Sequence, residues 1–95
     1  MSSPRPWFLY LIECVNGALY AGITTDVEAR YGAHARGKGA KFTRANPPQR
    51  LIGARAFDDR AAAARAEYAL KQLPRERKIA YLLRVGGVAS FGHDA

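Results

Sequence analysis

Arg30 and His34 stand four residues apart in the run NGALYAGITTDVEARYGAH (residues 16–34), directly after an apolar alternation that stops at Tyr20-Ala21-Gly22. Four residues is about one helical turn, so a helix here aims both side chains the same way. The pair combines a planar guanidinium fork that matches phosphate or carboxylate with an imidazole that exchanges a proton near neutral pH. A helix packed on a sheet needs neither group for its own stability. An ordinary structural role would give Arg30 an acidic partner and leave His34 hydrogen-bonded in the core, but few carboxylates lie near Arg30 in sequence. Tyr10 and Tyr20 add two phenols on neighbouring strand segments. Glu67, on a later helix, is read either as a carboxylate aimed at the same place or as half of an ordinary Glu67–Lys71 helical pair.

The elements that must hold these groups follow from hydrophobic period and turn chemistry. WFLYLIEC (7–14) and ALYAGI (18–23) read as two strands joined by a hairpin turn at Val15-Asn16-Gly17. Thr25-Asp26-Val27-Glu28 fits a capping box with Thr25 as N-cap, and a helix is expected from about Asp26 to Arg36. The segment GKGAKFTRANPP (37–48) holds no regular pattern and reads as a long loop, of the kind that often carries function. QRLIGARAF (49–57) is a third strand. Asp58 or Asp59 can cap a second helix through Leu73, with Ala62, Ala66, Ala69, Leu70 and Leu73 as its inward stripe. Pro74 suits the first turn of a third helix. The order β-β-α-β-α-α, with both faces of the hairpin apolar, predicts an α+β fold: a small, mainly antiparallel three-stranded sheet flanked by helices. Residues 7–85 form the expected domain, with tails at 1–6 and 86–95.

Turn length decides where the two tyrosines point, because the side-chain period in a strand is two. A two-residue loop pairs Tyr10 with Ile23 and puts the phenols on opposite faces. A three-residue loop, with Gly17 in the left-handed region, pairs Tyr10 with Gly22 and Ile12 with Tyr20. Both phenols then share a face and Gly22 leaves space beside Tyr10. Hydrophobic pattern alone is compatible with either register. On the following helix, Val27, Arg30, Tyr31 and His34 occupy one stripe, whose apolar members direct it toward the sheet.

Composition narrows the class. Ninety-five residues make one domain with a single modest core. The lone Cys14 excludes a disulfide framework and a cysteine-based zinc site. With no signal peptide, that points to the cytoplasm. The apolar stretch from Trp7 to Val15 is too short to cross a bilayer and is interrupted by Glu13. The charge is unevenly placed. No Asp or Glu occurs between Ala29 and Phe57, and Arg30, Arg36, Lys38, Lys41, Arg44, Arg50 and Arg55 in that interval account for the whole net charge of +7. Such a one-signed segment attracts polyanions through counterion release.

Taken together and in this order, these residues resemble the GIY-YIG nuclease superfamily, and in particular its minimal single-domain bacterial members, the URI-domain proteins. Phe8-Leu9-Tyr10 corresponds to the first signature triplet and Tyr20-Ala21-Gly22 to the second. Arg30 corresponds to the helix Arg, with His34 one turn later, and Glu67 to the metal-binding Glu. GKGAKFTR (37–44) is similar to the loop of the minimal members. Phe8 and Leu9 replace Gly and Ile, Ala21 replaces Ile, and Ile23 stands where some relatives carry Lys.

The resemblance implies a metal-dependent endonuclease hydrolysing phosphodiester bonds in DNA, with RNA not excluded. One Mg²⁺ or Mn²⁺ would be held by Glu67 and waters, since eight thinly spread acidic residues do not suit a two-metal cage. Arg30 would grip the scissile phosphate, one signature tyrosine (Tyr20 in preference to Tyr10) would orient or deprotonate the attacking water, and His34 would assist. A cation and Arg30 nearby would move a phenol pKa down. Arg36, Lys38, Lys41 and Arg44 would contact phosphates. Phe42 would stack on an unpaired base or anchor the loop to the core. Gly17 and Gly22 are structural, turn-type glycines. Without an appended recognition domain, cutting is expected to follow nucleic-acid shape or to be weakly specific, and there is room for a protein partner that directs it. Repair, recombination and RNA processing are all compatible settings. The rival reading is a non-catalytic nucleic-acid-binding module that uses the basic 36–55 segment.

Overall fold

The computed structural model describes residues 5–84 and 88–89. Three strands, β1 (Trp7–Cys14), β2 (Leu19–Thr24) and β3 (Pro48–Phe57), form an antiparallel sheet with β1 in the middle. Helices α1 (Val27–Ala35), α3 (Arg60–Lys71) and α4 (Arg75–Arg84) flank it in the expected β-β-α-β-α-α order. Two short elements add to this plan. A one-turn helix, α2 (Lys41–Ala45), lies inside the expected loop, and a two-residue strand, β4 (Val88–Ala89), pairs with β3 at Ala54 and Arg55. The sheet order is therefore β2-β1-β3-β4. Most of the two expected tails, 1–4 and all of 86–95 except Val88 and Ala89, lies outside the described residues.

β1 is apolar on both faces because both are covered. Leu9 and Leu11 point toward α3 and α4, where they meet Ala66, Leu70 and Leu82. Tyr10, Ile12 and Cys14 point the other way and pack with Val27 of α1 and Ala54. Burying a Leu side chain of this kind contributes roughly 1.5–3 kcal/mol. The three non-tyrosine departures in the signature triplets sort along the same division. Leu9 and Ala21 belong to the α3/α4 side, and Phe8 packs beside Tyr10.

The hairpin turn uses three residues. Gly17 has φ +87°, its N–H donates to the Cys14 carbonyl at 2.8 Å, and the Cys14 N–H donates to the Ala18 carbonyl at 2.8 Å. A left-handed glycine closing a type I turn is the usual three-residue solution. It pairs Tyr10 with Gly22 and Ile12 with Tyr20. Of the two registers the sequence allows, this one puts both phenols on the α1 face.

Local details differ from the sequence reading in two places. The N-cap of α1 is Asp26 and not Thr25, with the Asp26 carboxylate accepting from Ala29 N–H at 3.1 Å. Thr24 Oγ1 in turn accepts from Asp26 N–H at 3.1 Å. On α3, capped by Asp59, the buried stripe is Ala63, Ala66 and Leu70, while Ala69 is exposed. The rotation of the stripe toward Ala63 leaves Glu67 on the border of the buried face. α2 ends where Asn46 precedes Pro47-Pro48 and turns extended at φ −129°, ψ 83°, as a residue before proline must. Asn46 then ties this corner to the hairpin turn, accepting from Asn16 Nδ2 at 2.7 Å.

Candidate active site

Tyr10 is the centre of the constellation. It is 2% exposed, and its phenol oxygen lies 3.0 Å from His34 Nε2. The ring reaches that position by lying across Gly22. A Cβ at residue 22 would sit 2.4 Å from the Tyr10 hydroxyl oxygen and 2.6 Å from its Cζ. Gly22 is thus not a turn residue like Gly17. It lies inside β2, and the space expected beside Tyr10 is taken by the phenol itself.

His34, 1% exposed, uses both ring nitrogens. Nδ1 lies 2.7 Å from Thr43 Oγ1, and Thr43 Oγ1 donates to the Ala40 carbonyl at 3.0 Å. The buried histidine is hydrogen-bonded, as a core histidine should be, but one of its partners is a signature phenol. Tyr20 completes the aromatic group. Its ring centroid is 6.4 Å from that of Tyr10, 5.2 Å from that of His34 and 5.9 Å from that of Phe42, the last pair stacked at 15°.

Electrostatics draw in the remaining residues. Burial pushes the Tyr10 phenol above its ordinary range, and the Arg30 guanidinium opposes this by donating toward the phenol oxygen, while the charges of Tyr20 and Glu67 add to the rise. For Tyr10, with no cation bound, desolvation outweighs Arg30. Burial, helped by the positive charge of Arg30, holds His34 below the usual imidazole range, so the ring is neutral at pH 7. Arg30 is half-buried and forms no salt bridge with another described residue. Glu67 is close enough to act on Tyr10, and its carboxylate is held by Lys71 at 2.9 Å. The donor set for a metal is correspondingly spare. Among the described residues no group of three or more His, Cys, Asp or Glu is assembled. One carboxylate suits a hard cation that keeps most of its waters and does not suit a caged transition metal.

The basic segment does not act as one surface. Arg36, Lys38, Lys41 and Arg44 are exposed on α2 and the stretch leading into it, and none forms a salt bridge with another described residue. Arg50 and Arg55 belong elsewhere. Arg50 pairs with Glu13 at 2.7 Å, and Glu13 also receives Arg75 at 3.1 Å. Arg55 lies over the rings of Phe57 and Tyr81, on the α3/α4 face. The cations of 36–55 therefore divide into an exposed group at 36–44 and the pair Arg50 and Arg55, which share the α3/α4 side because a bulge between Leu11 and Ile12 in the β1–β3 pairing offsets their odd separation. Phe42 presents one face to Tyr20 and remains 40% exposed.

Two residues of this site carry no chemical signal in the sequence. Thr43 is one hydroxyl among several. Gly39 is one of two loop glycines, yet a Cβ there would fall 2.0 Å from His34 Nδ1. The only available signal was their place within the loop GKGAKFTR.

A family model described as the GIY-YIG catalytic domain matches residues 6–80. The chain belongs to the GIY-YIG family. That membership sets it in a nuclease superfamily and implies a nucleic-acid substrate. Relatives of this GIY-YIG protein carry the name UPF0213 protein. One from Xanthomonas campestris is 55% identical over 86 residues, which is 90% of this chain and 84% of the relative. Another, from Cupriavidus pinatubonensis, is 46% identical over 85 residues, 90% of this chain and 94% of the relative. Among solved structures, the NMR structure of an E. faecalis protein is 33% identical and superposes with a TM-score of 0.60 over 99% of this chain and 100% of that one. The UPF0213 protein of Bacillus halodurans is 43% identical, with a TM-score of 0.51 over 86% of each chain. No helix among the described residues is long and apolar enough to cross a membrane.

Proposed function

We propose that this GIY-YIG protein is a metal-dependent endonuclease that hydrolyses phosphodiester bonds in DNA and selects its substrate by shape more than by sequence. The observation that carries the reading is the convergence on Tyr10 of His34, Arg30, Tyr20 and Glu67, beside exposed cations that form no salt bridge with another described residue. Arg30, half-buried and without a carboxylate partner among the described residues, binds the scissile phosphate through its fork. Tyr20, half-buried where Tyr10 is buried, is the phenol that meets the attacking water. Tyr10 faces Arg30 on one side and directs its own proton to His34 Nε2 on the other. Glu67 would hold Mg²⁺ or Mn²⁺, and such an ion supplies Lewis-acid stabilisation of charge on the leaving oxygen when bound. Lys71 must release the carboxylate for this to happen. Lys38, Lys41, Arg44 and Arg36 grip flanking phosphates, and the open face of Phe42 takes an unpaired base. A lone buried thiol, Cys14, fits a reducing cytoplasm.

One observation favours a second reading. The Glu67–Lys71 contact at 2.9 Å is what an ordinary i,i+4 pair looks like, and a binding module that does not cut would retain it. The experiment separating the two incubates the protein with labelled duplex, single-stranded, flap and branched DNA, with Mg²⁺, Mn²⁺ or EDTA, beside Glu67→Ala and Arg30→Ala. An enzyme shows metal-dependent cutting that disappears in both variants, while Glu67→Ala retains binding. Salt-sensitive binding without cutting by the wild type favours the binding module.

A further inference from the structure

His34 has two ring nitrogens and, when neutral, one proton to place on them. Which nitrogen carries it decides whether His34 can accept the Tyr10 proton or must donate to the phenol oxygen instead. The answer is set on the far side of the ring. Thr43 has a single hydroxyl hydrogen, and the Ala40 carbonyl, 3.0 Å away, can only accept it. The Thr43 oxygen is then left as an acceptor toward His34 Nδ1 at 2.7 Å, which requires the proton on Nδ1. Nε2 is thereby left as a bare lone pair, 3.0 Å from the Tyr10 hydroxyl. The opposite arrangement would bring the Thr43 oxygen and the Ala40 carbonyl together as two acceptors with no hydrogen between them.

We propose that Thr43 is a positioning residue that fixes His34 as the Nδ1–H tautomer, so that a directed chain runs from the Tyr10 hydroxyl through His34 and Thr43 to the Ala40 carbonyl. Three observations support a built device over a chance contact. Tyr10, His34 and Thr43 are 2%, 1% and 1% exposed, so water does not compete for these bonds. Every buried side-chain polar atom among the described residues has a partner, so the chain has no loose end. Gly39 lets the loop backbone lie against the imidazole, where a Cβ would come within 2.0 Å of Nδ1. The same short helix that bears Lys41 and Arg44 on its outside therefore sets the protonation pattern of the imidazole on its inside. The inference rests on the site proposed above for its meaning in catalysis, but the tautomer itself is read without any substrate.

The test is long-range ¹H–¹⁵N NMR of the ¹⁵N-labelled full chain at pH 7.5, with His93→Ala used to assign the two histidines. The wild type is expected to show the Nδ1–H form of His34. Thr43→Val, which keeps the volume and removes the hydroxyl, should shift His34 toward Nε2–H, and Thr43→Ser should restore Nδ1–H. Tyr10→Phe should leave Nδ1–H in place, since Thr43 and not the phenol sets it. If the nuclease reading holds, Thr43→Val lowers kcat on the order of 10- to 100-fold with KM little changed, at or below the lower end of the 10²–10⁴ that a positioned proton acceptor contributes because the imidazole itself is kept, and Thr43→Ser recovers most of it. An Nε2–H or doubly protonated His34 in the wild type overturns the proposal, as does a change of tautomer in Tyr10→Phe. Retention of Nδ1–H in folded Thr43→Val overturns it too. If Thr43→Val does not fold, the wild-type, Thr43→Ser and Tyr10→Phe spectra still decide. A wild type that cuts nothing but shows the expected tautomers would count against the nuclease reading alone.

Discussion

Gly22→Ala is the substitution whose effect the geometry constrains most tightly. The added Cβ would stand 2.4 Å from the Tyr10 hydroxyl oxygen, 2.6 Å from Cζ and 3.1 Å from Cε2. Tyr10 has nowhere to go: it is 2% exposed, wedged between Ile12, Val27 and Ala54, and bonded to His34. Overpacking of this kind costs about 1–3 kcal/mol. Displacing the phenol also loses the His34 bond, about 1 kcal/mol net. Against this, replacing Gly by Ala in a strand recovers about 0.5–1 kcal/mol of backbone entropy. The net expectation is a loss of about 1–3.5 kcal/mol, which for a domain of this size is a fall in Tm of roughly 4–28 °C. Gly53→Ala is the matched control, since its Cβ would meet only methyl groups at the ends of Leu83 and Leu82, at 3.1 Å and 3.5 Å. It should cost less than about 1 kcal/mol. Thermal and urea melts of wild type, Gly22→Ala, Gly53→Ala, Tyr10→Leu and the double variant Tyr10→Leu/Gly22→Ala measure the coupling directly. The 22–10 interaction energy should exceed about 1 kcal/mol. A Gly22→Ala protein that melts with wild type, or costs that simply add, would refute the steric argument.

Two more perturbations follow from the site. His34 is held neutral in the fold, so its contribution to stability is complete above the unfolded imidazole value near 6.5 and is lost as pH falls below it, with a slope of at most about 1.4 kcal/mol per pH unit. Urea melts from pH 7.5 to 5.5 should therefore show a steeper loss for wild type than for His34→Gln, and equal slopes would contradict the assignment. Lys41→Ala and Arg44→Ala should each flatten the dependence of log K on log salt by about 0.7–0.9, depending on strandedness. Arg55→Ala, whose guanidinium lies over Phe57 and Tyr81, should leave that slope as it is. Binding titrations at several salt concentrations read all three, and an Arg55 effect as large as that of Arg44 would put the binding face in the wrong place.

Local rules carried the amino-acid sequence far toward this fold. Hairpin turn, helix periods and proline positions are short-range signals, and they were enough for the β-β-α-β-α-α order, the three-stranded sheet and the stripe Val27–Arg30–Tyr31–His34. The placement of charge between Ala29 and Phe57 was equally legible, because it is read directly from the order of residues. The tertiary structure decided what depends on atoms far apart in the chain. It chose the three-residue register that puts Tyr10 and Tyr20 on one face, a choice both hydrophobic patterns allowed. It turned Arg50 and Arg55 away from the cations of 36–44, since a bulge in the β1–β3 pairing and the partners Glu13, Phe57 and Tyr81 hold them on the other side. It also brought Thr43 and Gly39 against His34, where a hydroxyl and a missing Cβ acquire a role that no spacing in the sequence encodes.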